Sequence, residues 1–367
     1  MKYYIIAGEA SGDLHASNLI KEIIKLEPNA DIRAWGGDKM QNAGANVVKH
    51  FKDLAFMGFY EVLINLRTIL KNISFCKKDI LEFSPDKIIF VDYPGFNMRI
   101  AKWSKKYKFQ TIYYIAPQLW AWNEKRIKKI KKYIDSLYVI LPFEKEFFET
   151  KHKYPVKFLG HPLLDSISNF KKNYDSSSEQ IITNKKAVIA ILPGSRKQEI
   201  KKILNTVIKI VDYFPDHQFI VAGAPNIELS YYKSILKNKR IKVIENKTYE
   251  ILSISTAAIV TSGTATLETA LFKVPQVVCY KSSYFSYFIA KLIVNIKYIS
   301  LVNLIMDQQI VKELIQQDCN KDKIRNELEK ILDLNNKKSL QIKYDELTSI
   351  LGNNGTSKRV ALDIIKK

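Results

Sequence analysis

Short apolar runs alternate along this chain with longer stretches in which apolar residues recur every three to four positions. Tyr3–Ala7, Ile88–Val91, Thr111–Ile115, Leu137–Leu141, Val188–Leu192, Gln218–Ala222 and Ala258–Val260 are short, nearly continuous and rich in Ile, Val and Tyr. Runs of that kind predict strands buried on both faces, as in parallel sheets. Ala16–Leu26 and Ile200–Tyr213 have helical spacing instead. The alternation predicts an α/β fold with doubly wound sheets.

The rhythm breaks once. Residues 169–186 are polar and rich in Ser, Asn and Lys, and strand-like sequence resumes after Lys186. The break predicts two Rossmann-like domains facing each other across a cleft, residues 1–165 and 166–350. A helix at Thr356–Lys367, within 351–367, would pack back on the first. A length of 367 residues is enough for two cores.

Composition adds a strong positive charge. The net charge is +21, from 58 basic and 37 acidic residues, and only 8 of the basic residues are arginine. The excess is spread over both halves. It fits anionic partners such as nucleic acid, anionic lipid or phosphorylated metabolites, or a general bias of the coding sequence toward lysine. Cys76, Cys279 and Cys319 lack metal-ligand or redox-motif spacing, which predicts free thiols in a reducing compartment. The first residues lack the shape of a signal peptide, and no apolar run approaches the ~20 residues that span a bilayer. The expectation is a soluble or peripheral protein.

The most informative stretch is 257–268, Ala-Ala-Ile-Val-Thr-Ser-Gly-Thr-Ala-Thr-Leu-Glu. It reads as a strand, a tight turn at Ser262, Gly263 and Thr264, and a helix start through Ala265 and Thr266. Such a turn offers backbone N–H groups and hydroxyls to an anion at the positive end of a helix dipole. Glu268, one turn on, stands where a carboxylate would accept hydrogen bonds from sugar hydroxyls. Phosphate beside a polyol means a nucleotide or a nucleotide-sugar; the other reading is an ordinary Ser/Thr-capped turn.

Leu192-Pro-Gly194-Ser195-Arg196 makes a second anion seat at a helix mouth, with a planar guanidinium suited to phosphate oxygens. Here the alternative is an ion pair with Glu199. Asp92 follows a buried strand, at the edge where α/β proteins bind ligands, and is either a general base or a turn former before Tyr-Pro-Gly. In Gly8-Glu-Ala-Ser-Gly-Asp-Leu-His15, the residues Ser11, Asp13 and His15 either line a cleft or serve the following helix, and Gly12 allows close approach. Trp120 and Trp122, beside Arg126 and a run of lysines, suit stacking on sugars or bases or a membrane interface. Their spacing suggests a strand or a turn. Phe56, Met57, Phe59 and Tyr60 are candidates for an exposed apolar patch in contact with lipid. No Asp-x-Asp, Walker A or Gly-x-Gly-x-x-Gly motif is present, so a metal–diphosphate clamp, an ATPase and a dinucleotide enzyme are all unsupported.

Gly8–His15, Met57-Gly-Phe-Tyr-Glu-Val62, Asp92-Tyr-Pro-Gly-Phe-Asn97, Pro117-Gln-Leu-Trp-Ala-Trp122, Leu141-Pro-Phe-Glu144, Gly160-His-Pro-Leu163, Leu192–Arg196 and Ser262–Glu268 occur in this order. Together they resemble the lipid-A-disaccharide synthases, over nearly the whole chain. The resemblance implies a GT-B inverting glycosyltransferase, peripheral on the cytoplasmic face of the inner membrane of Gram-negative bacteria. It would join UDP-2,3-diacylglucosamine to 2,3-diacylglucosamine 1-phosphate (lipid X), with no metal or other cofactor. It implies Asp92 as general base and Arg196 near the diphosphate. The UDP-sugar site would comprise Gly194, Ser195 and Arg196 with Ser262, Gly263, Thr264, Ala265, Thr266 and Glu268. Ser11, Gly12, Asp13, His15, Glu61, Asn97, Gln118 and Trp120 would lie on the acceptor side. Gly95 stands where some members carry an acidic residue. A UDP-N-acetylglucosamine transferase or a UDP-sugar epimerase of the same fold is the alternative. A nucleic-acid-binding role lacks any motif. The oligomeric state is left open.

Overall fold

The computed structural model describes residues 1–53, 66–174, 186–237, 240–283, 287–288, 294 and 296–366. The chain forms two compact units, Met1–Ser168 with Leu351–Lys367, and Asn169–Ile350.

The first unit holds β1 (Lys2–Ala7), β2 (Asp31–Gly36), β3 (Asn46–His50), β4 (Lys87–Val91), β5 (Gln110–Tyr114), β6 (Ser136–Val139) and β7 (Lys157–Phe158). They lie parallel in the order β3-β2-β1-β4-β5-β6-β7. The second unit holds β8 (Ala187–Leu192), β9 (His217–Gly223), β10 (Ile241–Glu245), β11 (Ser255–Thr261), β12 (Gln276–Tyr280) and β13 (Lys312–Ile315), in the order β10-β9-β8-β11-β12-β13. Each sheet reverses direction beside its first strand, so each has a switch point where α/β folds bind ligands, outside the carboxyl ends of the strands. Both faces are covered. Tyr4 and Ile6 of β1 enter one core cluster, while Tyr3, Ile5 and Ala7 enter another on the opposite face. Ile189 and Ile191 are likewise separated from Val188, Ala190 and Leu192. This two-sided burial is why the strands read as continuous apolar runs.

The helices used below are α1 (Ala10–Leu26), α2 (Asp38–Asn42), α3 (Leu66–Phe83), α4 (Pro94–Ser104), α5 (Leu119–Trp122), α6 (Ile127–Tyr133), α7 (Pro142–Glu146) and α8 (Leu163–Asn173) in the first half of the chain. In the second half they are α9 (Lys197–Val207), α10 (Leu229–Ile235), α11 (Thr248–Ser253), α12 (Thr264–Leu271), α13 (Leu301–Met306), α14 (Lys321–Leu332), α15 (Leu334–Ile350) and α16 (Thr356–Ile365). Three of them correct the sequence expectations. α1 begins at Ala10, six residues before the expected start, so Ser11–His15 are helical and only Gly8 and Glu9 form the turn. Gly12 is tolerated there because α1 presses on β1: a Cβ at Gly12 would lie 3.2 Å from the Ala7 methyl. The two tryptophans fall in the one-turn helix α5. α9 stops at Val207, and a separate 3₁₀ turn covers Val211–Tyr213.

The last helix belongs to the first unit and is held at both ends. Asp165 of α8 accepts the N–H groups of Gly355 and Ser357 at 2.5 and 2.7 Å, so its carboxylate caps the positive end of α16. At the other end the buried Lys87 amine donates to the Ile364 carbonyl at 2.6 Å. Arg359 donates to the Leu159 carbonyl, and Lys157 pairs with Asp363.

Candidate active site

At the carboxyl edge of the first sheet the backbone is strained in three places. Asp92, Tyr93 and Ile115, which follow β4 and β5, all have positive φ, at 48°, 49° and 66°. For non-glycine residues, and for a β-branched one above all, this is costly and concentrates at functional sites. Two buried side chains hold the conformation. The Tyr113 hydroxyl and the Asn97 amide donate to the Asp92 carbonyl at 2.6 and 2.7 Å. The Asp92 side chain is half-buried, and desolvation raises its carboxyl above the ordinary range, opposed by a hydrogen bond from the Tyr93 N–H. Gly8 makes room for the Tyr93 ring, whose atoms would lie 2.3 Å from a Cβ there. A Cβ at Gly95 would meet nothing within 4 Å, so the backbone there does not require a glycine for space.

Next to this edge, the Trp120 indole N–H donates to Glu144 Oε1 at 3.1 Å, and Phe143 stands edge-on to the indole at 4.8 Å. Glu144 Oε2 accepts the Ile140 and Leu141 N–H groups at 3.1 and 3.0 Å. Gln118 is exposed, and Trp122 is 45% exposed with the Arg126 guanidinium 4.4 Å from its ring.

Three expected acceptor-side residues are buried. Asp13 is buried and accepts the N–H groups of Gly37, Lys39 and Met40 at 2.7, 3.2 and 3.1 Å; it caps α2, not its own helix, and is out of reach of a substrate. Asn97 is also buried and acts on the Asp92 backbone. His15 is buried near His161 and Asp165, and burial pushes its imidazole down to about 4. Ser11 is half-buried in the first turn of α1, beside the packed Gly12. Glu61, Phe56, Met57, Phe59 and Tyr60 lie outside the described residues.

In the second unit, Gly263 stands at φ 152° and ψ −164° between β11 and α12, a conformation essentially restricted to glycine. No side chain caps α12 among the described residues, and Gly263 and Thr264 are exposed, so the positive helix end is open to an anion. Ser262 donates its hydroxyl to the Ile299 carbonyl at 2.7 Å, and Thr266 to the Gly263 carbonyl at 2.8 Å; both shape the turn. Ala265 packs on the core. Glu268 lies too far into the helix to cap it. Its Oε1 accepts the Tyr249 hydroxyl at 3.0 Å, and burial raises its carboxyl.

The turn rests on a polar buttress that the sequence reading did not single out. Glu313 of β13 accepts the N–H groups of Ile299 and Ser300 at 3.0 and 2.9 Å, the Ser300 hydroxyl at 2.7 Å and the Asn303 amide at 2.8 Å. Beside β8, Gly194 has φ 98° and Ser195 is exposed. Arg196, whose side chain is 64% exposed, donates to Glu199 at 3.2 Å at the start of α9. That pairing is the alternative the sequence left open, and an exposed pair of this kind contributes little to stability.

A family model for lipid-A-disaccharide synthetase matches residues 3–362, across both units. The chain belongs to the lipid-A-disaccharide synthase family. Curated lipid-A-disaccharide synthases of Coxiella burnetii (strain Dugway 5J108-111) and Geobacter metallireducens are 36% and 34% identical, over 97% of this chain and 96% and 94% of their own lengths. Lipid-A-disaccharide synthase 1 of Legionella pneumophila (strain Lens) is 37% identical over 86% of this chain and 84% of its own length. The chain is accordingly a glycosyltransferase of lipid A biosynthesis. Solved structures share the GT-B fold at low identity. A UDP-GlcNAc 2-epimerase from Neisseria meningitidis, bound to UDP-GlcNAc, has a TM-score of 0.66 at 14% identity over the full length of both chains. The calicheamicin glycosyltransferase CalG4 has a TM-score of 0.61 at 13% identity, over 99% of this chain and 97% of its own. In this synthase-family chain, no helix among the described residues is long and apolar enough to cross a membrane.

Proposed function

We propose that the chain transfers 2,3-diacylglucosamine from UDP-2,3-diacylglucosamine to the 6-hydroxyl of lipid X. The products are the β-1,6-linked tetraacyl-disaccharide 1-phosphate and UDP. The observation that carries this reading is Asp92, a half-buried carboxylate held on a strained turn at the ligand-binding edge of its sheet. Desolvation makes it a stronger base than an exposed aspartate. As the acceptor O6 attacks the anomeric carbon from the face opposite UDP, the O6 proton passes to the Asp92 carboxylate. The bond from the anomeric carbon to the diphosphate oxygen breaks, and its electron pair leaves with UDP. The new negative charge is met by the open end of α12 and by the Arg196 guanidinium, which exchanges Glu199 for phosphate. Glu268 offers its remaining carboxylate capacity to the ribose hydroxyls. The reading needs no metal.

The acyl chains stay partly in an anionic bilayer on the cytoplasmic face of the inner membrane. Phe56, Met57, Phe59 and Tyr60 are the proposed contact, and the adjacent α3 exposes Leu70 and Phe75 at 55% and 47%. Basic residues would add about 1 kcal/mol each near such a surface. The test is mass spectrometry of the products formed from UDP-2,3-diacylglucosamine and lipid X. A tetraacyl-disaccharide 1-phosphate supports the reading, and release of UDP without a disaccharide overturns it.

A further inference from the structure

Glu144 closes a capping box at the start of α7, a fold role that a neutral glutamine fills as well. It is 1% exposed, and a buried carboxylate carries a large desolvation cost unless its oxygens are well matched. Burial pushes it up to about 7, with the charge of Asp92 adding to the rise and three N–H donors opposing it. Two of those donors, Ile140 and Leu141, are backbone groups at the start of α7, which a neutral cap would satisfy equally well. The third is the Trp120 indole, and that partner calls for a carboxylate oxygen left over after capping.

The bond orients the Trp120 side chain. The ring is anchored through its N–H by Glu144, supported edge-on by Phe143 at 87°, and still half-exposed. Its helix α5 comes shortly after Ile115, the strained residue that follows β5, and β5 neighbours β4, which Asp92 follows. A pyranose presents an apolar C–H face to one side, and an aromatic ring is its natural partner. A ring locked before the sugar arrives binds without the cost of ordering it. We propose that Trp120 is the stacking platform for the hexosamine ring of the acceptor, and that Glu144 is the residue that positions it. This rests on the assignment of the Asp92 side as the acceptor side.

The test is a kinetic comparison of Trp120→Phe, Trp120→Ala, Glu144→Gln and the double variant Trp120→Ala/Glu144→Gln. Lipid X and UDP-2,3-diacylglucosamine are varied separately, and UDP affinity is measured by calorimetry. Trp120→Ala should raise the KM for lipid X about tenfold or more and leave the donor KM and UDP affinity unchanged. Trp120→Phe keeps a ring but loses its anchor and should fall between Trp120→Ala and the parent. Glu144→Gln has one oxygen for three N–H groups and should match Trp120→Phe. In the Trp120→Ala background it should change nothing further. An equal Glu144→Gln effect in both backgrounds, or an equal effect on donor and acceptor KM, would make Glu144 merely structural and overturn its part. If Glu144→Gln does not fold, the tryptophan variants still decide the platform: an unchanged lipid X KM in Trp120→Ala refutes it. Failure of the general-base assignment gives a different result, namely near-normal kcat in Asp92→Asn whatever the lipid X KM of the tryptophan variants.

Discussion

Mild acid should loosen the first unit through two histidines. His15 and His161 are both buried, and burial holds both neutral, with His15 pushed down to about 4 and His161 to about 3. Asp165 partly opposes the shift at His15, and His15 itself depresses His161. A histidine with a lowered folded value contributes stability that is complete above its unfolded value of 6.5 and is lost as the pH falls toward its folded value. At pH 5 the unfolded chain has taken up these protons and the fold has not. Integrated from pH 7.5 to pH 5, the difference is about 2 kcal/mol for each histidine. Glu144 works in the opposite sense: its raised value gives stability that is full below 4.5 and lost as the pH rises through 7, so the parent curve alone is ambiguous. The clean measurement is the gap between parent and variant. All four tryptophans, Trp35, Trp103, Trp120 and Trp122, lie in the first unit, so urea unfolding followed by indole fluorescence reports that unit. Whatever His15→Gln costs at pH 7.5, the parent should lose about 2 kcal/mol of its advantage over that variant at pH 5, and likewise over His161→Asn. A gap that stays constant between the two pH values refutes the reasoning.

Four further outcomes follow from the proposed reaction. Asp92→Asn should lower kcat by roughly 10²–10⁴ while UDP affinity, read by calorimetry, stays the same. Tyr113→Phe removes one of the two donors to the Asp92 carbonyl, worth about 1 kcal/mol; it should lower kcat with little change in either KM, and a selective rise in donor KM would contradict the positioning role. Arg196→Ala should weaken UDP binding, read by calorimetry, and an unchanged UDP affinity would count against the phosphate role. Addition of a chelator should leave the initial rate intact, and a rate restored only by a divalent ion would overturn the metal-free reading.

The central strands were legible because burial on both faces leaves an uninterrupted apolar run, as in Tyr3–Ala7 or Val188–Leu192. Strands such as Asn46–His50, Ile241–Glu245 and Lys312–Ile315 lie at sheet edges, mix charge with apolar residues and leave no such signature. The start of α1 was hidden because Ser11 and Gly12 look like a turn; only the contact with Ala7 explains a helical glycine there. The chemistry at Asp92, Arg196 and Gly263 could be inferred from residue type at the end of a strand. The supports behind these residues could not, because the bonds from Tyr113 to Asp92, from Trp120 to Glu144 and from the Ile299–Asn303 segment to Glu313 join residues distant in the chain and are set by tertiary packing. Asp13 and His15 looked like cleft residues for the same reason: nothing in their sequence neighbourhood reveals the α2 N-terminus that Asp13 caps or the burial of His15 near His161.

The clamp on α16 has a consequence for the order in which the protein takes shape during synthesis. Residues 1–168 leave the ribosome first, yet their unit lacks the helix that covers one of its core clusters through Val360, Ala361 and Ile364. Until residues 351–366 emerge, after the whole of the second unit, the Lys87 amine has no carbonyl at Ile364 and Asp165 has no helix to cap. The unit that is made first is therefore finished last. A frameshift or nonsense codon near position 350 would leave the second unit whole and cripple the first.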